Sequence, residues 1–188
     1  MALFDDLDGG TRISGAARNL TGGQKWTLVV SCLSVALVIG SMAALYTSLP
    51  DIAAQTGATQ SQLTWVVDGY TLVLAGLVLP AGAVGDRYGR RLVLILGLLV
   101  FAAASVIPLV VAEPWWLISA RAIAGLGAAF VMPSTLSLLT AGFPENQRGR
   151  AVGIWAGVAA SGAVVGVLYS GALLDVPQLD TSPEASAR

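Results

Sequence analysis

Histidine is absent from the 188-residue chain, cysteine occurs once, at Cys32, and only 11% of the residues are charged. Without imidazole there is no histidine-based metal site and no histidine base for a catalytic triad. A lone cysteine has no intrachain partner, which excludes a disulfide scaffold. Soluble domains carry about 25% charged residues. A chain with less than half that share, and with 55% apolar residues, is neither a disordered segment nor an ordinary water-soluble domain. The net charge of −1 leaves no basic footprint for nucleic acid. What remains is a composition suited to lipid.

Five stretches reach the roughly 20 apolar residues that a helix needs to cross a bilayer. They run approximately over 25–50, 62–85, 91–112, 115–141 and 150–174. Runs such as LVLILGLLVFAAASVIPLVV do not alternate in polarity as barrel strands do. The expected fold class is therefore all-α, a polytopic membrane protein with five transmembrane helices. The first stretch lies too far from the start, and lacks a small-residue cleavage site, to be a removed signal peptide. Residues 1–24 read as a polar cytoplasmic tail. Residues 175–188, polar and Pro- and Ser-containing, read as an extracytoplasmic disordered tail.

Orientation follows from the basic residues. Arg12, Arg18 and Lys25 precede the first span, Arg87, Arg90 and Arg91 fill the second connection, and Arg148 and Arg150 fill the fourth. The first and third connections contain no Lys or Arg, and the two remaining arginines are Arg121 and Arg188. The expectation is a cytoplasmic N-terminus in a plasma (inner) membrane. Trp26, Trp65, Trp115 and Trp116 fall near the expected interfaces, where amphipathic rings are favoured. Five spans leave a bundle unclosed, so a longer protein, or a second chain, is expected to complete it.

Two ionisable residues lie well inside the spans. Asp68 and Arg121 are each about 6 residues from the arginine-poor end of their helices, roughly 9 Å deep at 1.5 Å per residue. Buried charge in a bilayer is costly and points to function. If spans two and four face each other, the two can pair. Such a pair either locks two helices together or lets Asp68 exchange a proton, with desolvation raising its proton affinity and the arginine lowering it. On span five, Gly153-x-x-x-Gly157 and Gly162-x-x-x-Gly166 offer small faces for close helix approach. Pro80 and Pro133 are candidate kinks, and Cys32 reads as a small buried hydrophobe.

The second connection reads Gly82-Ala-Val-Gly85-Asp86-Arg87-Tyr88-Gly89-Arg90-Arg91. Physically it is a tight turn in which Asp86 can accept charge-assisted hydrogen bonds from neighbouring arginines. On charge alone it is a loop that sets topology. Its spacing, however, resembles the signature loop of the major facilitator superfamily. Further similarities follow in order: Arg121 with Gly125 and Gly127 in span four, then Phe143-Pro144-Glu-Asn-Gln-Arg148-Gly149-Arg150. Gly153, Gly162 and Gly166 in span five resemble the family's antiporter motif. Leu49-Pro50-Asp-Ile-Ala and Gln62-Leu-Thr-Trp65-Val-Val-Asp68-Gly-Tyr70 resemble the fourteen-helix drug–proton antiporter branch. Two departures are plain. Val167 stands where the antiporter motif has proline, and Ser170-Gly171 replaces its following glycine pair. In span one, Ser41 and Tyr46 occupy the positions of the branch's aspartate and asparagine.

The resemblance implies most of the N-terminal six-helix half of a major facilitator, with a missing C-terminal half. It implies proton-coupled efflux of small amphipathic or cationic drugs by alternating access, driven by a proton gradient with no cofactor and no metal. Asp68 and Arg121 would serve coupling. Ser41, Tyr46, Trp65 and Tyr70 would line the cavity. The Gly82–Arg91 loop, with Arg148 and Arg150, would form the cytoplasmic gate. Gly125, Gly127, Gly153, Gly162, Gly166 and Gly171 would serve helix packing. Two alternatives stay open: an exporter of a dedicated metabolite with the same fold, and a non-transporting five-span fragment or partner subunit. An enzyme lacks its parts, since the spans hold no histidine, no paired carboxylates and no ligand cluster.

Overall fold

The structure, a computed structural model, describes residues 22–110 and 113–175. The two expected tails therefore lie outside the described residues, apart from Gly22, Gly23, Gln24 and Asp175, which belong to helices. Five helices follow one another: α1 (Gly22–Thr56), α2 (Gln60–Tyr88), α3 (Arg90–Val110), α4 (Pro114–Gly142) and α5 (Glu145–Asp175). Each contains a segment long and apolar enough to cross a membrane. They alternate in direction throughout, with α5 parallel to α1, so the arginine-rich turns gather at one end, called the basic end here.

Several helices outrun the apolar stretches from which they were inferred. α1 passes straight through Pro50 to Thr56. A proline removes only one backbone donor, and hydroxyls nearby can take over freed carbonyls. The carbonyl that Pro50 leaves free is that of Tyr46; the nearby Thr47 and Ser48 hydroxyls donate one turn earlier, to the Ala43 and Ala44 carbonyls at 3.3 and 3.0 Å. α2 starts at a reciprocal cap: Gln62 N–H donates to Thr59 Oγ1 at 3.4 Å, while Thr59 N–H donates to Gln62 Oε1 at 2.9 Å. α2 stops at Gly89, whose φ of 99° a side chain would resist.

α4 is the central helix. It packs along α2 on one side and α3 on another, and touches α1, which runs beside α5. The main core joins Val38, Tyr70, Leu94, Phe101, Ala104, Ala124, Ala128 and Val131. A second cluster at the basic end joins Leu139, Phe143 and Ala151, with Leu28 and Trp155 against it. Outside, Leu92, Ile95, Leu96 and Leu99 of α3 and Val164, Val165 and Leu168 of α5 are exposed. In water such faces would be unsustainable; in acyl chains they cost nothing.

Because lipid is as apolar as leucine, packing rather than hydrophobic burial holds such helices together. The seams accordingly run through small residues. A methyl group at Gly125 would lie 2.5 Å from the Tyr70 carbonyl oxygen, and one at Gly127 2.7 Å from the Phe101 nitrogen. At Gly162 it would lie 2.9 Å from the Ala36 Cα, and at Gly166 it would strike the Gly40 backbone. Gly153, Gly157 and Gly171 behave differently: among the described residues nothing approaches within 4 Å. The expected packing face on α5 is therefore its second glycine pair alone. Cys32 is buried, as its apolar surroundings require.

This contrast gives a test. Gly166→Ala places a methyl against backbone that cannot yield, and should destabilise the bundle by at least ~1–3 kcal/mol. Gly153→Ala meets open space and should be neutral or slightly stabilising through helix propensity, by up to about 1 kcal/mol. Thermal unfolding of both variants in lipid nanodiscs checks the sign and order.

Candidate functional site

At the basic end, one guanidinium joins three helices. Arg90 stands at the start of α3, one residue beyond the Gly89 turn. Its Nε and Nη2 donate to Asp86 Oδ1 of α2 at 3.1 and 3.0 Å, and its Nη1 donates to the Ser137 carbonyl of α4 at 3.0 Å. The planar fork of arginine suits this two-way grip, which a lysine ammonium cannot reproduce. The expected aspartate–arginine turn is thus present, and its third arm, Ser137, was invisible in the spacing because a backbone carbonyl has no sequence signature. Gly82 and Gly85 allow α2 to lie over α4, where methyl groups would stand 3.8 Å from Pro133 Cβ and 3.7 Å from Ser134 Oγ.

The other arginines of this end do different things. Arg87 lies over the Tyr88 ring, 5.6 Å from its centre. Arg148 donates from Nε to the Phe143 carbonyl at 3.0 Å and sits 3.7 Å from Glu145. Arg91 and Arg150 are exposed.

Deeper in, Asp68 and Arg121 occupy similar levels of α2 and α4, and these helices do pack together. The structure nevertheless does not pair them. Among the described residues the ion pairs are Asp86–Arg90 and Glu145–Arg148. The reason is angular. Gly69 and Tyr70 take the seam against α4, with a methyl at Gly69 3.8 Å from the Ile118 carbonyl. Asp68, next to them on the helix, is turned away and exposed. It lines a groove of about 450 Å³ between α1 and α2, together with Leu49, Pro50, Gln60, Thr64 and Val67. Arg121 is half-buried, with Tyr70 as its electrostatic neighbour.

Tyr70 corrects a further expectation. It is only 3% exposed and belongs to the core, so among the described residues it does not line an open cavity. Tyr46 and Trp65 are exposed. Ser41 lies in a second, almost wholly apolar groove of about 530 Å³ along α1 and α5, which also includes Leu37, Gly40, Ser161, Gly166 and Tyr169. At its arginine-poor end the Ser170 hydroxyl lies 2.9 Å from Ser48 Oγ and 3.2 Å from the Ala44 carbonyl. That clasp sits where the antiporter motif would have glycine, and α5 has no proline to bend it.

Residues 31–179 match the sequence pattern of the Major Facilitator Superfamily. The chain belongs to that family. It is 38% identical over 154 residues to the methyl viologen resistance protein SmvA of Salmonella typhimurium, covering 81% of this chain and 31% of that protein. A puromycin resistance protein of Streptomyces alboniger is 35% identical, over 93% of this chain and 35% of its own length. The multidrug efflux pump LfrA of Mycolicibacterium smegmatis is 38% identical, over 79% and 30%. This chain thus spans about a third of the length of these superfamily relatives. The fold is shared with a crystal structure of a bacterial homolog to the human lysosomal transporter Spinster, inward-facing and unoccupied. That match has a TM-score of 0.75 at 22% identity, covering 82% of this chain and 33% of that one. The superfamily consists of membrane transporters rather than enzymes, and this chain is a multi-pass membrane protein.

The Arg90 grip predicts a local effect. Arg90→Ala should raise amide hydrogen exchange across residues 86–91 roughly fivefold, equivalent to ~1 kcal/mol for the lost hydrogen bonds. Arg91→Ala, at an exposed neighbour, should leave exchange there unchanged.

Proposed function

We propose that the chain forms part of a proton-coupled exporter of amphipathic, cationic compounds, working by alternating access in the plasma (inner) membrane with its N-terminus cytoplasmic. The observation that carries this reading is the position of Asp68. It is a carboxylate at membrane depth that faces a groove instead of an arginine. Such a group is free to hold a proton or an organic cation in turn, because neither has a resident counter-charge to displace. The names of the relatives, which speak of resistance and efflux, support the direction and class of cargo.

Arg121 plays the complementary part. Half-buried on α4, it biases the field in the bundle without neutralising Asp68 directly. The energy source is the proton gradient; no cofactor is required. The remaining surface of the transport path comes from a C-terminal half or a second chain. Ser41, Tyr46 and Trp65 supply contacts on this side of it, and the Arg90 grip with Arg148 and Arg150 forms the cytoplasmic gate.

A second reading draws on the α1–α5 groove, which has no Asp, Glu, Lys or Arg among its lining residues. It suits neutral cargo, as an exporter of a dedicated metabolite would carry. The two readings separate in inside-out membrane vesicles energised with a proton gradient. Ethidium uptake should be lost in Asp68→Asn and retained in Asp68→Glu, with membrane insertion equal in both. Full uptake by Asp68→Asn would overturn the coupling role. Movement of a neutral metabolite without ethidium would select the second reading. Co-purification with a separate transporter, without flux of its own, would make the chain a partner subunit.

A further inference from the structure

Ser134, on α4 next to Pro133, carries a hydroxyl with no hydrogen-bond partner among the described residues, and its side chain is buried at 3% exposure. Buried polar atoms are almost always satisfied, by protein or by ordered water. This one lines a partly open pocket of about 150 Å³, bordered by Gly82, Gly85, Asp86, Arg90, Pro133, Ser134 and Ser137, with the Asp86 side chain 65% exposed at its mouth. The volume accommodates a few water molecules, and the walls are polar.

The arrangement of donors and acceptors is incomplete in a complementary way. All three guanidinium nitrogens of Arg90 are engaged, two of them on Asp86 Oδ1 and the third on the Ser137 carbonyl. Asp86 Oδ2 accepts from none of the described residues. Ser134 has a proton to donate, and a carboxylate oxygen on the same cavity has room to accept. Arg90 already supplies the positive charge, which disfavours a metal cation, and the carboxylate disfavours an anion. A neutral ligand with both donor and acceptor capacity fits the walls.

We propose that this cavity is a water site, in which ordered water bridges the Ser134 hydroxyl of α4 to the Asp86 carboxylate of α2. The seam between these two helices then has two characters. Near Tyr70 and Gly125 it is dry and in direct van der Waals contact. Beyond Pro80, toward the basic end, it is wet. A wet contact can part and re-form by exchanging water–protein bonds for water–water bonds, whereas a dry glycine seam loses its packing outright. The basic end of α2 is therefore the part of this seam that can separate, with Arg90 as the direct tie. This inference concerns the molecule's own water and does not depend on what is transported.

Hydroxyl-radical labelling by synchrotron radiolysis, applied to the native chain in lipid nanodiscs, tests it, since radicals formed from a bound water mark the side chains around it. Pro133 should be labelled in the wild type. That label should fall at least about twofold in Ser134→Ala, which removes the anchor, or in Gly85→Ala, whose methyl fits the cavity without a clash and takes the water's space. Exposed Tyr88 should be labelled equally in all three. An unlabelled Pro133 in the wild type, or a label unchanged in both variants, would overturn the proposal.

Discussion

Everything in this bundle depends on how closely α4 can approach its neighbours. In lipid there is no solvent to squeeze out from between helices, so cohesion comes from dispersion at short range and from polar groups that have nowhere else to go. Dispersion falls steeply with separation; even a gap below 1 Å forfeits a quarter to a half of it. The glycines at Gly125 and Gly127 are therefore the condition on which the α2–α4 and α3–α4 seams exist, since a side chain there would meet backbone. The same holds on the other side of the molecule, where Gly162 and Gly166 fit against Ala36 and Gly40. α4 thus acts as the post around which three helices are set, and α5 is carried chiefly by α1.

That constraint decides where chemistry can be placed. Once Gly69 and Tyr70 are committed to the seam against α4, the residue beside them on the helix is rotated off it by about 100°, the angle per residue in a 3.6-residue turn. Asp68 is therefore delivered to the α1–α2 groove, while Arg121 stays half-buried on α4. The separation of the two charges follows from the packing of one pair of helices. It leaves Asp68 chemically available, where an ion pair with Arg121 would have held it.

Much of this was legible beforehand. The five helices follow from apolar length, and family membership from the Gly82–Arg91 spacing with its later companions. The near-equal depth of Asp68 and Arg121 follows from counting residues. What could not be read was azimuth. Depth is a one-dimensional property of a helix, whereas facing direction depends on which neighbour takes which stripe, and apolar residues surround nearly the whole circumference of these helices. On that point, among the described residues, Asp68 is not paired with Arg121, Tyr70 lies in the core, and Gly153, Gly157 and Gly171 meet no neighbour. Helix ends are also less legible, because hydropathy stops at polar residues while backbone hydrogen bonding continues through them to Thr56 and back to Glu145.

The substitutions within α5 show how a motif can change while its packing persists. Proline at the position of Val167 would break the ladder of α5 and free a carbonyl one turn earlier. With valine the helix is continuous from Glu145 to Asp175. Ser170, in place of a glycine, then stands one turn beyond Gly166 on the same seam and reaches Ser48 and the Ala44 carbonyl. A hydroxyl at this point gives the arginine-poor end of α1 and α5 a polar tie in addition to close backbone contact. The α1–α5 pair is therefore fastened along much of its length, by glycine in the middle and serine near one end. At the opposite end of the molecule the α2–α4 seam relaxes past Pro80 into a small polar cavity. The two seams therefore differ: α1 and α5 are close-packed and tied by hydroxyls, whereas the basic end of α2 meets α4 beside a polar pocket with Arg90 as the direct tie.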